Sequence, residues 1–370
     1  MQKESAPSLT YSPPAHLCRV PSSWSNILLC RPPTASSTAT ATSPRPKTRY
    51  APTWTSPTAR GAARYARATT TGTSTSAGGS APSRRTLKRG STPWTRAAWE
   101  TAILYPTSIG FTAALIWEPD VAIAVCRAYN DFLHEEFTSV SPRLKSVALL
   151  PLQDVDEAVK ELRRAVTERG HSGAMLSAIG AHPPLGRAQY FPLYEEAQRL
   201  GVMLAVHSST QGIHHLAADD YQRFIEVNTF CFPVGLFRHM VSMMFAGIPE
   251  RFPGLRVGWM EAGCGWVPYW LERMDEKWKI RGADEAPMLR RSPTEYVQQG
   301  NWFFHTEADE KMLPYTASVI GADKLFFASD FPHWDSEYPH NVQELLARED
   351  IDETLRRNVL RENALRLYGL

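Results

Sequence analysis

The stretches VMLAVHSS at 202–209, LRVGWME at 255–261 and KLFFASD at 324–330 decide the fold. Each is about as long as a β-strand, is apolar on both faces and ends in a polar residue. Strands of this kind are typical of a parallel sheet that is covered by helices. Four further runs are also about strand length and mostly apolar: TAILYPT (101–107), SVALLPL (146–152), GAMLSAI (173–179) and NWFFHTE (301–307).

Amphipathic segments separate these runs. In the clearest one, at 154–166, Asp154 is a suitable N-cap and Glu157 completes a capping box. Seven strands that alternate with helices are one short of a (β/α)8 TIM barrel, which typically needs about 250 residues. The sequence therefore predicts this α/β barrel, with a first strand that is missing or unrecognisable before Thr101. A doubly wound sheet is the alternative, but no glycine-rich turn follows a first strand.

Composition divides the chain near residue 100. Residues 1–100 carry 14 basic and 2 acidic side chains and residues 101–370 carry 26 and 36, so the net charge of +2 is the sum of +12 and −10. The first part is rich in Ser, Thr, Pro and Arg and has too few aliphatic residues to build a core. We predict a low-complexity basic segment at 1–100, disordered or frame-shifted, and a metal-dependent hydrolase barrel domain at 101–370. A native tail, a transit peptide and a nucleic-acid-binding tail are the alternatives for the first segment.

Charge and cysteine content restrict the partners. The acidic larger part excludes a uniformly basic nucleic-acid binder, and no apolar run approaches the roughly 20 residues that span a bilayer. The five cysteines show no Cys-x-x-Cys spacing, which argues against a zinc ribbon or a disulfide framework. We expect a cytoplasmic protein that binds a small-molecule substrate, without a nucleic-acid or membrane partner.

Three strand-like runs end in residues suited to metal binding or proton transfer: His207, Glu261 and Asp330. In a barrel the carboxyl ends of the strands open onto one face, so these side chains are expected to converge. One imidazole with carboxylates is a usual ligand set for a catalytic zinc or manganese ion, which lowers the pKa of bound water. The alternative is a packing histidine and a helix-capping aspartate.

Other histidines and acids are less informative. His333, in the loop after Asp330, is a candidate for binding a substrate carboxylate or for moving a proton. Glu307, at the end of the NWFFHTE run, is a weaker candidate. Three further histidines are expected to be surface or structural residues: His214, His215 and His239.

The motifs FPGLRV at 252–257, EAGCGWVP at 261–268 and SDFPH at 329–333 resemble the amidohydrolase-related family, the metal-dependent TIM barrels that include aminocarboxymuconate-semialdehyde decarboxylase. The resemblance implies that His207 and Asp330 are metal ligands. Decarboxylases of the family have a histidine where Glu261 stands, and an acceptor-only carboxylate cannot replace an imidazolium donor. The family also has ligands on the first strand.

The nearest version of that first-strand motif is PAHL at 14–17, which makes His16 a candidate metal ligand. The resulting hypothesis is a hydrolase in which His207 and Asp330 hold Zn or Mn, while Asp330 and Glu261 position or deprotonate the attacking water. A non-oxidative decarboxylase of an aromatic or unsaturated acid is one alternative, and an inactive, degenerate barrel is another. The resemblance also makes a homo-oligomer plausible.

Overall fold

A computed structural model describes residues 27–30, 99–106, 108–210, 216–331, 333, 335–338 and 340–370. The strands are β1 Ile27–Cys30, β2 Trp99–Leu104, β3 Leu144–Ser146, β4 Ala148–Leu149, β5 Gly173–Ser177, β6 Met203–His207, β7 Arg256–Met260, β8 Trp302–Thr306 and β9 Leu325–Phe327. The α-helices are α1 Ser108–Ala113, α2 Pro119–Leu133, α3 Val155–Arg169, α4 Phe191–Leu200, α5 Phe224–Phe245, α6 Ile248–Arg251, α7 Trp266–Glu285, α8 Pro293–Gln299, α9 Leu313–Ile320, α10 His340–Ala347, α11 Glu353–Arg357 and α12 Asn363–Tyr368.

The strands pair in parallel in two ladders, each in chain order: β1-β2-β3 and β4-β5-β6-β7-β8-β9. Only Val147 separates β3 from β4, and its N–H donates to the carbonyl of Leu104 at 3.1 Å, which joins the two ladders. The nine segments therefore fill eight strand positions in sequence order. This order has no reversal point, as a doubly wound sheet would require, and it confirms the predicted (β/α)8 fold.

The first strand position is held by β1, an Ile-Leu-Leu-Cys segment that pairs with β2 so that Leu28 lies opposite Thr101. This strand was not recognisable from the sequence, because four apolar residues among serines and prolines do not form a period. The remaining predictions for residues 1–98, including a shifted reading frame and the metal ligand His16, lie outside the described residues.

The N-cap predicted for the clearest helical segment is present in the structure, without the reciprocal Glu157 contact of a capping box. Asp154 caps α3 by accepting a hydrogen bond from the N–H of Glu157 at 3.0 Å, and the helix ends at Gly170, whose φ of +68° is left-handed. Among the described residues, no helix is both long and apolar enough to cross a membrane.

Alternation along the strands separates an inner core from an outer one. Met203, Ala205, Phe303 and Phe326 belong to one buried cluster, whereas Leu204, Val206, Phe304 and Leu325 belong to the cluster that packs against the helices. Because side chains two apart share a face of a strand, His207 and His305 point the same way as the first cluster. The strand period thus brings two imidazoles to the inside of the carboxyl ends of β6 and β8.

Candidate active site

His207 is the last residue of β6 and is only 1% exposed. Its Nδ1 lies 2.7 Å from the carbonyl oxygen of Ser208. A carbonyl only accepts hydrogen bonds, so Nδ1 carries the proton and the lone pair of the neutral ring is at Nε2. Nε2 lies 3.2 Å from Oε1 of Glu261. This tautomer is the one that a metal-binding imidazole adopts when a backbone carbonyl orients it.

Glu261 follows β7 directly and begins a tight turn. Glu261 and Ala262 have φ values of +65° and +59°, a region that costs a residue with a Cβ about 1–2 kcal/mol. Left-handed non-glycine residues cluster at functional sites, where the surrounding structure holds them in place. The turn therefore directs the Glu261 carboxyl inward at an energetic cost.

Glu310 holds this turn from the loop after β8. Its carboxylate accepts hydrogen bonds from the N–H groups of Cys264 (2.8 Å) and Gly265 (2.6 Å). It also accepts from the hydroxyl of Thr306 (2.9 Å) and the N–H of Glu307 (3.3 Å). One half-buried carboxylate thus connects the end of β7 to the end of β8.

Asp330 lies three residues beyond β9 and also has a left-handed backbone, with φ +52°. The preceding carbonyl, that of Ser329, accepts from the hydroxyl of Ser336 at 2.7 Å and from Nδ2 of Asn341 at 3.3 Å. These contacts fix the segment that carries the Asp330 side chain.

The predicted convergence of His207, Glu261 and Asp330 is present in the structure. The three line one cavity of about 10 Å³ together with four further residues: Tyr105, Met260, His305 and Ala328. This volume is near the smallest that holds one water molecule. The cavity therefore admits an ion or a water molecule. An aromatic ring is too large for it and would need space on the loop side of the cavity.

His305 is the member of the cavity that sequence reasoning missed. It is 1% exposed, and neither ring nitrogen has a hydrogen-bond partner within the described part of the chain. Its Nδ1 lies 3.6 Å from Oε1 of Glu307, the weaker sequence candidate, whose side chain is 47% exposed. The available signal was the strand period, which places His305 on the same face as Phe303.

The loop after β9 contains a second group of potential ligands. Single ligand atoms of Asp330, His333 and Asp335 all lie within 4.8 Å of one another. The structure thus brings the predicted His333 next to Asp330 and adds Asp335, which the sequence did not indicate. Among the described residues, no trio that includes His207 meets that distance.

The other histidine predictions have different outcomes. His214 and His215 lie outside the described residues. His239 is structural, as expected: it is buried in α5, its Nε2 donates to the carbonyl of Ala178 at 2.6 Å, and its Nδ1 accepts from the N–H of Leu185 at 3.1 Å. Burial lowers the pKa of His239 to about 3, and the positive charge of Arg238 acts in the same direction.

The cavity residues fit a divalent cation chemically. The lone pair of His207 Nε2 faces the buried carboxyl of Glu261 across 3.2 Å, and two acceptors repel each other unless a proton or a cation lies between them. An imidazole with the carboxylates of Glu261 and Asp330 forms the nitrogen and oxygen ligand set that zinc and manganese accept.

Comparisons with known proteins identify the family and several similar proteins. The amidohydrolase family model matches residues 108–370. Gamma-resorcylate decarboxylase from Rhodococcus jostii (strain RHA1) is 28% identical over 264 residues, which cover 68% of this chain and 79% of that protein. The 2-amino-3-carboxymuconate-6-semialdehyde decarboxylase of Dictyostelium discoideum is 24% identical over 266 residues, covering 72% and 71%.

A similar solved structure is that of dihydroxybenzoic acid decarboxylase from Polaromonas sp. JS666, with bound manganese and the inhibitor 2-nitroresorcinol. It has a TM-score of 0.62 and 25% sequence identity, and the match covers 73% of this chain and 82% of that chain.

Proposed function

This chain is a member of the amidohydrolase family, and we propose that it is a divalent-metal-dependent carboxy-lyase acting on a hydroxybenzoate-like or unsaturated carboxylic acid. The family model matches residues 108–370, so the resemblance seen in the motifs is confirmed. The observation that carries the proposal is the convergence of buried His207 with partly buried Glu261 and Asp330 around one small cavity.

The relatives support decarboxylation over the hydrolysis that the sequence first suggested. Both curated relatives are decarboxylases, and the chain spans 79% and 71% of their lengths. The manganese in the Polaromonas structure supports a divalent ion in this protein. We propose that His207 and Asp330 hold that ion, which when bound would withdraw electron density from substrate oxygens.

The residues of this chain then have distinct tasks. The carbonyl of Ser208 keeps the His207 ring in the tautomer that leaves Nε2 without a proton. Glu261, an acceptor next to that ring, orients a hydroxyl group of the substrate. Burial of the cavity excludes bulk water. Water therefore does not compete with the loss of the carboxylate as carbon dioxide.

The test uses the purified chain with Mn²⁺ and 2,6-dihydroxybenzoate. We expect release of one carbon dioxide and one resorcinol per substrate, measured by headspace analysis and liquid chromatography. The Asp330→Asn variant is expected to lose this activity. A panel of hydroxybenzoates and unsaturated acids that gives no carbon dioxide with the wild-type protein would refute the proposal.

The hydrolase alternative is favoured by one feature, the carboxyl of Glu261 at the position of the decarboxylases' histidine. A carboxylate can deprotonate water, whereas it is a poor donor to a ring carbon. Reaction in ¹⁸O-labelled water separates the two functions, because a hydrolase incorporates the label into its product and a carboxy-lyase leaves the aromatic product unlabelled.

A further inference from the structure

We infer that His305 and Glu307 form a proton relay that carries protons from solvent into the cavity and supplies the proton that decarboxylation consumes. The inference rests on the proposed function, because net loss of carbon dioxide from a carboxylate takes up one proton. It also assigns a donor to a cavity in which Glu261 stands at the place of a histidine.

The two side chains connect the interior of the barrel with its surface. His305 is on β8, is 1% exposed and lines the cavity with His207 and Glu261. Its Nδ1 is 3.6 Å from Oε1 of Glu307, whose side chain is 47% exposed. Because Nδ1 is on the side of Glu307, Nε2 is the ring nitrogen left for the cavity, and the pair extends from solvent to the cavity.

His305 differs from the other buried histidines. His171 and His239 each use both ring nitrogens in contacts of 3.3 Å or less with neighbouring groups. His305 has no such contact within the described residues, and its ring lies 6.1 Å from that of Phe326. Leaving a buried polar group without a hydrogen bond costs about 1–3 kcal/mol. Such a cost is expected at a functional site, where the imidazole gains a hydrogen-bond partner during the reaction.

Glu307 is placed to exchange protons with solvent. Its side chain is 47% exposed, so water reaches the carboxyl, while Oε1 lies 3.6 Å from Nδ1 of His305. A carboxyl that contacts both solvent and an imidazole can pass a proton from one to the other.

The proton balance closes over one turnover. Glu307 donates a proton to Nδ1 of His305, and Nε2 releases a proton to the ring carbon, which forms a C–H bond. The bond from that carbon to the carboxylate then breaks, its electron pair returns to the ring, and carbon dioxide leaves. Solvent protonates Glu307 again, and exchange through water moves the proton of the neutral His305 ring from Nδ1 to Nε2, which restores the starting tautomer.

The experiment compares His305→Gln and Glu307→Gln with the wild-type protein, using Mn²⁺ and 2,6-dihydroxybenzoate. We expect His305→Gln to lower kcat by about 100-fold or more, the usual contribution of a general acid. KM is expected to stay within about threefold, because the substrate is still bound equally well. Metal content should be unchanged in both variants.

Buffer dependence is the readout that a structural role does not produce. In dilute buffer Glu307→Gln is expected to lower kcat about 10-fold, and added imidazole should restore it by donating protons in place of the carboxyl. The wild-type rate should not depend on imidazole. His171→Gln is the matched control for loss of a buried imidazole, since His171 lies before β5, at the opposite end of the strands.

The outcomes separate the two proposals. If the wild-type protein releases no carbon dioxide, the proposed function fails and the relay fails with it. If the wild-type protein is active and both variants keep their kcat, or Glu307→Gln loses activity that imidazole does not restore, the relay alone is overturned. If His305→Gln does not fold, the Glu307→Gln variant still tests the relay, because the side chain of Glu307 is half exposed.

Discussion

Replacing Glu310 with alanine is expected to destabilise the protein and displace the turn that carries Glu261. The change removes the acceptor for two short backbone hydrogen bonds, from Gly265 at 2.6 Å and Cys264 at 2.8 Å, and for the Thr306 hydroxyl at 2.9 Å. Alanine offers no acceptor, so the N–H groups of the turn lose their partner.

The magnitude follows from the strength of these contacts. A hydrogen bond to a charged group contributes about 1.5–3 kcal/mol, so the two backbone contacts alone sum to about 3–6 kcal/mol. They share one carboxylate and are not additive, so we expect a loss of about 3 kcal/mol in the free energy of unfolding. For a domain of this size that lowers Tm by roughly 6–12 °C.

The assay is urea unfolding followed by circular dichroism, with Asp309→Asn as the matched control. Asp309 is the exposed neighbour of Glu310 on the same loop, and its variant removes a carboxylate charge without touching the turn. We expect the control to change stability by less than about 0.5 kcal/mol. A Glu310→Ala variant as stable as Asp309→Asn would refute the argument that this carboxylate holds the turn.

Two further predictions concern the histidines. His207→Ala is expected to reduce bound metal from about one equivalent to a small fraction, measured by elemental analysis after dialysis; retention of a full equivalent would contradict the ligand role. Because burial lowers the pKa of His239 from 6.5 to about 3, the unfolded chain binds more protons between these values, and stability should fall as pH decreases through this range. In His239→Gln the decrease should be shallower, measured by urea unfolding at several pH values; an identical pH dependence would count against it.

The strand ends could be predicted from the sequence because they follow local rules. His207, Glu261 and Asp330 each end a run whose apolar pattern is legible without tertiary contacts, and the barrel topology then brings them together. The resemblance was carried by short contiguous motifs of the same kind.

Other features depend on contacts that are distant in sequence. Glu310 acts on Cys264 and Gly265, more than 40 positions earlier, and no local pattern marks such a residue. His305 lies among aromatic residues of β8 beside Glu307, and what distinguishes it is that neither ring nitrogen has a hydrogen-bond partner among the described residues, which only tertiary structure reveals. β1 was missed because its short apolar run carries no period.

The left-handed backbones of Glu261 and Asp330 lower the stability of the fold, whereas the carboxylates at these positions serve the proposed chemistry. Glycine adopts φ values of +65° and +52° without the steric cost that a Cβ brings. A chain under selection for folding alone would therefore drift toward glycine at both positions and gain stability as it lost its carboxylates. Descendants that keep the barrel but no longer catalyse are thus expected to lose the site at these two positions first.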